Sequence, residues 1–182
     1  MISEIKQIGK VVDWAGYSGP YMLFILSIIL LKSRTTFLYA YVYGFLLDQI
    51  LNLFLKGIIQ DPRPSEEINI FNAENTYFNE RMGPQRYGMP SGHAQSVFFS
   101  LIFIYLSLGN SFITIFYGLI ALCTMYQRVA YRAHDITQVM VGACVGTLLA
   151  WVIYMVAKKI IAGKLKLKPD DNAILVKYIN MR

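Results

Sequence analysis

Charge is scarce in this chain. Asp, Glu, Lys and Arg make up 15% of its 182 residues, against about 25% in an ordinary soluble domain. That shortage argues against a conventional water-facing protein. Histidine and cysteine are scarcer still, with two residues of each. Cys123 and Cys144 both lie inside apolar runs and form no CxxC pair. They read as small packing residues, not as a disulfide or metal ligands. No cluster of Asp, Glu, His or Cys has metal-ligand spacing, so neither a metal nor another cofactor is expected. No internal repeat or low-complexity segment is present. No cleavable signal peptide is evident, because residues 1–13 are amphipathic, with Glu4, Lys6, Lys10 and Asp13 between Ile5, Ile8 and Val11. Residues 1–16 read either as an interfacial helix or as the lead-in to the first span.

What is abundant is apolar length. The chain is 55% hydrophobic, with 13 Tyr and 11 Phe. A helix needs roughly 20 predominantly apolar residues to cross a bilayer. Five runs approach that length: residues 17–31, 37–59, 94–108, 112–128 and 136–161. The first is short enough to be re-entrant. Gly109, Asn110 and Ser111 mark a tight turn between the third and fourth. The expected fold is all-α, a polytopic transmembrane helical bundle with about five membrane spans. Residues 1–163 would form a single membrane domain, and residues 164–182 a basic tail.

The net charge of +6 is unevenly placed, with Lys158, Lys159, Lys164, Lys166 and Lys168 crowded after the last run. Such a cluster reads as a cytosolic anchor beside membrane lipids, not as a nucleic-acid site. Residues 61–86 and 129–135 are the longer polar segments. With the C-terminus in the cytosol, both face the lumen or cell exterior. With five crossings, the N-terminus shares their side. The aromatics Phe71, Tyr77 and Phe78 in the first segment suit the bilayer interface, and the segment reads equally as a cover over a site or as a plain loop.

Several chemically capable residues fall at that one face. Lys56 ends the second run, and Arg63 follows in "DPRP". Pro90, Ser91, Gly92 and His93 open the third run, Arg128 ends the fourth, and His134 precedes the fifth. Each alone reads as an interfacial side chain. Their convergence is harder to explain that way, because ionisable groups in a membrane protein are costly to hold. Together they suit phosphoryl transfer. Lysine and arginine neutralise phosphate, and the guanidinium fork matches its oxygens. A helix beginning at Ser91 points free amides at an anion, and Gly92 allows close backbone approach. One histidine can attack phosphorus while another protonates the leaving oxygen.

The pattern resembles the three signature motifs of the phosphatidic acid phosphatase type 2 superfamily. Six residues separate Lys56 from Arg63-Pro64, Pro90-Ser91-Gly92-His93 follows, and five residues separate Arg128 from His134. The resemblance implies that Lys56, Arg63, Ser91, Gly92 and Arg128 bind phosphate. It implies His93 as general acid and His134 as a nucleophile forming a phosphohistidine, with a lipid phosphate or diphosphate as substrate. The chain departs from the family pattern at Gln127, usually Ser, and at Gln138, usually an Asp that orients the nucleophile. Gln138 lies one helical turn from His134 and can accept a hydrogen bond from its ring, but brings no charge. That variant, with "IQDPRP" and "YGMPSGHAQ", is similar to the dolichyl-diphosphatase branch, although Gly92 stands where the branch commonly has Ser. The branch implies a polyisoprenyl diphosphate substrate at the endoplasmic reticulum lumen. The alternatives are a phosphatase of phosphatidate or phosphatidylglycerol phosphate, and a non-catalytic lipid-binding relative.

Three residues also have a plainer structural reading. Asp135 and Gln138 fit a capping-box start to the fifth helix. Asp48 shares a helix face with Asn52 and Lys56. It either positions Lys56 through Asn52, or is a buried polar group satisfied by a neighbouring helix.

Overall fold

The computed structural model describes residues 2–64 and 83–167, with side chains over 11–64 and 83–163. The helices are α1 (Ile2–Leu31), α2 (Thr35–Ile59), α3 (Gly92–Leu108), α4 (Ser111–Ala130) and α5 (Ile136–Leu167), with a 3-10 turn at Gly83–Arg86. No strand occurs among the described residues. The expected aromatic cover, with Phe71, Tyr77 and Phe78, and the tail beyond Leu167 lie outside the described residues.

Helix α1 runs unbroken from Ile2, so the amphipathic leader and the first span are one helix. At 1.5 Å per residue its 30 residues reach about 45 Å, well beyond a hydrocarbon core of about 30 Å. Helix α5 likewise continues to Leu167, past the expected end of the span at 161. The crowded lysines through Lys166 are therefore helical in backbone.

Four helices contain stretches long and apolar enough to cross a membrane: Val11–Leu31, Thr35–Ile59, Ser111–Ala130 and Ile136–Gly163. Helix α3 is shorter, at 17 residues. It is also the enclosed helix, packed against each of the other four. The outer surface explains why the long helices suit lipid. Trp14, Tyr43, Ile50, Phe54, Phe112 and Trp151 are more than half exposed, an apolar surface that only lipid would solvate favourably. Cys144 is exposed on α5, so the packing role expected of it does not hold there. The chain is an integral membrane protein.

Two glycines decide how closely α3 and α5 pack. A Cβ on Gly146 would stand 2.1 Å from the Gln95 carbonyl oxygen, and one on Gly142 would stand 2.5 Å from that of Ser91. Small residues four apart let helix backbones touch. This contact draws the start of α5 against the start of α3, and the Ser91 amide donates to the Gln138 carbonyl at 3.0 Å. Away from that end the core is aromatic. Tyr41 packs against Phe99 and Phe103 with ring centroids 5.7 and 5.5 Å away. The Tyr41 hydroxyl lies 2.8 Å from Ser100 Oγ, which satisfies it within the apolar surroundings.

Candidate active site

The end of α2, the start of α3, the end of α4 and the start of α5 meet at one end of the bundle. The N-terminal part of the first span joins them, with Tyr131 donating to the Asp13 carboxylate. That bond holds the phenol in its protonated form and pushes its pKa up to about 12.

The buried face of α2 carries Tyr41, Gly44, Asp48, Asn52 and Lys56 at steps of three or four residues, one stripe of a helix. Lys56 is almost fully buried. Its ammonium donates to the Tyr87 carbonyl at 2.7 Å and lies 3.4 Å from that of Gly88. Asp48 is bound from α3, where Gln95 donates to its Oδ1 at 2.9 Å and Ser96 to its Oδ2 at 3.2 Å. Asn52 donates to Gln95 Oε1 at 2.9 Å and to the Pro90 carbonyl at 3.1 Å. Asp48 is thus satisfied by the neighbouring helix. The network it anchors ends on the Pro-Ser-Gly turn, bracing that turn from beneath.

Gln60 closes α2 in the left-handed region, with φ 54°. The chain then turns so that Arg63 reaches across to the α4–α5 loop. Its Nη1 donates to the Ala133 carbonyl at 2.8 Å and to His134 Nε2 at 3.1 Å, and its Nη2 donates to the Gln85 carbonyl at 3.2 Å. His134 is 3% exposed, with its amide on the Arg128 carbonyl at 3.1 Å. Its Nδ1 lies 3.1 Å from Gln138 Oε1. These contacts fix the tautomer. An arginine can only donate, so Nε2 carries the lone pair, and Nδ1 carries the proton given to Gln138. Burial first, then the charges of Arg63, Lys56 and Arg128, hold the His134 pKa well below the ordinary histidine range, while the Gln138 bond opposes them. A neutral ring with its lone pair on Nε2 is a nucleophile in the required form.

Arg128 is 4% exposed. Its Nε donates to Gln127 Oε1 at 2.6 Å, so the glutamine that replaces the usual Ser holds the guanidinium. Its charged group also sits 5.5 Å from the Tyr17 ring centroid. The Tyr17 ring in turn lies 5.9 Å from that of His93. Tyr17 on α1 therefore touches both residues, a neighbour that its position in an apolar run gave no means of anticipating. Ser91 starts α3 without the side-chain bond an N-cap serine usually makes. Its hydroxyl is buried with no hydrogen-bond partner among the described residues.

Lys56, Arg63, Gly92, His93, Arg128 and His134 all line one cavity of about 540 Å³. Asn52 also lines it, whereas Ser91, Asp48 and Gln138 stand behind its wall. The same cavity continues past Gln49 and Ser96 to Tyr21, Phe24 and Phe45. From Lys56 to Phe45 is eleven residues of α2, about 16 Å of helix. One end is cationic and the other apolar. Among the described residues, no three His, Cys, Asp or Glu side chains group as ligands for a metal ion.

Asp135 caps α5, its Oδ1 accepting from the Gln138 amide at 2.8 Å. The side chain of Gln138 does not complete a capping box. Its Nε2 donates to Asp61 Oδ2 at 2.5 Å and to the Pro62 carbonyl at 2.7 Å. Asp61 was not among the residues expected at the site. It stands beside Arg63 in "DPRP", but nothing in its spacing ties it to a residue 77 positions later.

A family profile described as the PAP2 superfamily matches residues 37–162. A dolichyldiphosphatase of Saccharomyces cerevisiae is 35% identical over 124 residues, 63% of this chain and 49% of that protein. Lipid phosphate phosphatase epsilon 1 of Arabidopsis thaliana is 35% identical over 136 residues, 70% of this chain and 43% of that protein. A lipid A 4'-phosphatase of Bacteroides thetaiotaomicron is 32% identical over 116 residues, 63% of this chain and 51% of that protein. The chain thus spans about half the length of these curated relatives. In fold it is similar to a PAP2-type phosphatidylglycerolphosphate phosphatase from Bacillus subtilis, with TM-score 0.56, 19% identity, and coverage of 86% of this chain and 88% of that one. The profile spans well over half of the sequence and includes every motif that builds the cavity, so the chain belongs to the PAP2 superfamily.

Proposed function

We propose that this protein is a membrane lipid phosphatase that removes phosphate from a polyisoprenyl, dolichyl-type diphosphate through a phosphohistidine. The observation that carries the reading is the cavity, cationic and two-histidine at one end, with Phe24 and Phe45 at the other. An amphiphile with a phosphorylated head and an apolar tail has matching chemistry.

In this reading Lys56, Arg63, Arg128 and the Gly92 amide hold the terminal phosphoryl group, and the Ser91 hydroxyl turns out of the cavity wall to join them as substrate enters. Arg63 leaves Nε2 of His134 for a phosphate oxygen as substrate enters. Nε2 then attacks phosphorus. A nitrogen–phosphorus bond forms, the bond from phosphorus to the bridging oxygen breaks, and His93 gives its proton to that oxygen. Water next attacks the phosphohistidine and passes a proton to His93. The nitrogen–phosphorus bond breaks, releasing inorganic phosphate and restoring both rings. The cations act chiefly by stabilising charge that develops on the transferring group. No metal ion is required by these steps.

Two features favour the isoprenoid substrate, the Gln138 variant and the similarity to a dolichyldiphosphatase. The similarity to a lipid phosphate phosphatase and a lipid A 4'-phosphatase supports the second reading, another lipid phosphate at the same site. The basic end of α5 argues for a cytosolic C-terminus. The site then faces the lumen or cell exterior, at the endoplasmic reticulum in a eukaryote. The test is phosphate release by detergent-purified protein, with chelator present, from dolichyl and shorter polyprenyl diphosphates, phosphatidate and phosphatidylglycerol phosphate. Preference for the diphosphates supports the first reading, and preference for a monophosphate the second. Release from none of them, or release unchanged in His134→Ala, rejects both.

A further inference from the structure

The nucleophile's ring is oriented by an amide, and the amide is oriented by a carboxylate. An uncharged glutamine is a poor guide for a histidine, because its two ends look alike in shape and differ only in hydrogen-bonding sense. With its oxygen toward His134 it demands a proton on Nδ1 and leaves the lone pair on Nε2. Flipped, it would place an N–H against Nδ1 and force the proton to Nε2, which disarms the ring. Arg63 at Nε2 enforces the first sense only until it leaves for phosphate, so something else must hold it through the attack.

The choice is made on the far side of the amide. Asp61 Oδ2 lies 2.5 Å from Gln138 Nε2, and the Pro62 carbonyl 2.7 Å from the same nitrogen. An ionised carboxylate and a backbone carbonyl both only accept. The nitrogen of Gln138 must face them, so the oxygen must face His134, 3.1 Å away. The glutamine is fully buried, and a flip there would set oxygen against oxygen. The amide is held in place as well as in sense. A Cβ on Gly88 would lie 2.2 Å from Gln138 Oε1, so the chain has a glycine where a side chain would displace the relay. The Gly88 amide in turn donates to the Asp61 carbonyl at 2.8 Å, tying that residue's backbone to the same place.

We propose that Asp61 is a positioning residue for the nucleophile, acting through Gln138 to fix the Nδ1–H tautomer of His134. The negative charge that the family pattern places directly on the histidine is here set one amide further back, on a different motif. The proposal rests on the reading of His134 as nucleophile, and its test separates the two.

The test uses full-length protein and the variants Asp61→Asn, Gln138→Asp and the double variant carrying both. Asp61→Asn keeps the shape but can present an N–H to the amide, so kcat should fall about 10- to 100-fold, the usual effect of disturbing a partner that orients an active ligand. KM should change little, because the phosphate-holding groups are untouched. Gln138→Asp alone sets two carboxylates side by side and should also be slow. In the double variant the carboxylate stands at position 138 and Asn at 61 can donate to it, so most of the lost kcat should return. A merely structural role for Asp61 predicts losses that add or worsen. The second readout needs no turnover. Selective 15N-histidine labelling under saturating inorganic phosphate, which draws Arg63 from Nε2, gives two ring spectra, separated with His93→Gln, and His134 should be the Nδ1–H tautomer in the parent and a mixture in Asp61→Asn. If the parent hydrolyses no lipid phosphate, the functional reading fails while the ring spectra still decide the relay. An unchanged kcat and an unchanged tautomer in Asp61→Asn overturn the proposal.

Discussion

The two ends of α3 are built on opposite policies. At its C-terminal end the backbone groups find partners, although the Ser107 hydroxyl is buried with no hydrogen-bond partner among the described residues. Gly109 takes the left-handed conformation, φ 62°, and its amide returns to the Tyr105 carbonyl at 2.9 Å. Arg34 donates to the Ser107 carbonyl, placing a cation where the helix dipole favours one. Asn110 at once caps α4 through the Ile113 amide at 3.0 Å. At the N-terminal end the helix has a serine that does not cap and a buried hydroxyl with no hydrogen bond among the described residues. Lys56, Arg63 and Arg128 gather there, close to the positive end of the dipole, where cations are disfavoured. One end is arranged for stability. The other holds groups whose natural complement is an anion, which makes it the candidate site.

The contrast can be broken in order of severity. His134→Ala should lower kcat for phosphate release at least about 1000-fold, as loss of a covalent nucleophile does, while the far-ultraviolet circular dichroism stays that of the parent. Arg128→Gln should lower kcat/KM about 100- to 1000-fold, the range for one group stabilising a transferring anion. It should also shift the acidic limb of the kcat/KM profile. His134 must be neutral to attack, and its pKa is held below the ordinary value by burial and by these cations. The limb it sets should therefore lie below about pH 6.5 in the parent, and removing a cation should move it upward. Linkage gives the stability sign. The unfolded chain binds a proton at His134 that the folded chain resists, so stability falls as pH drops below the unfolded value and is retained above it.

The smallest effects make the sharpest contrast. Asn110→Ala should cost about 1 kcal/mol of stability through the lost cap and leave kcat/KM alone. Ser91→Ala should leave stability equal or raise it by about 1 kcal/mol, because a buried unpaired hydroxyl is removed, yet weaken phosphate inhibition. Thermal denaturation in detergent and inhibition by inorganic phosphate measure both. Equal destabilisation by the two variants would mean that the ends do not differ as described.

Apolar length made the helices legible, because crossing a bilayer leaves few other solutions. Their ends were less so. Nothing in residues 1–16 said whether the leader would bend away from the first span, and it does not. Lys56, Arg63, His93, Arg128 and His134 were legible because motif order and bundle topology place them on one face. What spacing could not reveal were contacts across distant positions. Gln95 as the partner of Asp48, Tyr17 beneath Arg128 and His93, and Asp61 behind Gln138 depend on which helix faces are apposed. Gly142 and Gly146 stand four apart in the sequence. The meaning of that spacing appears only with α3 packed against it, where Gly146 leaves room for the Gln95 carbonyl.

The most direct test is to catch the intermediate. Protein mixed with polyprenyl diphosphate carrying a terminal 32P label, and quenched in alkali within milliseconds, should hold acid-labile label on a peptide containing His134. The label should be absent from His134→Ala. Label that survives in His134→Ala, maps to His93, or is stable to acid as an oxygen ester would contradict the account.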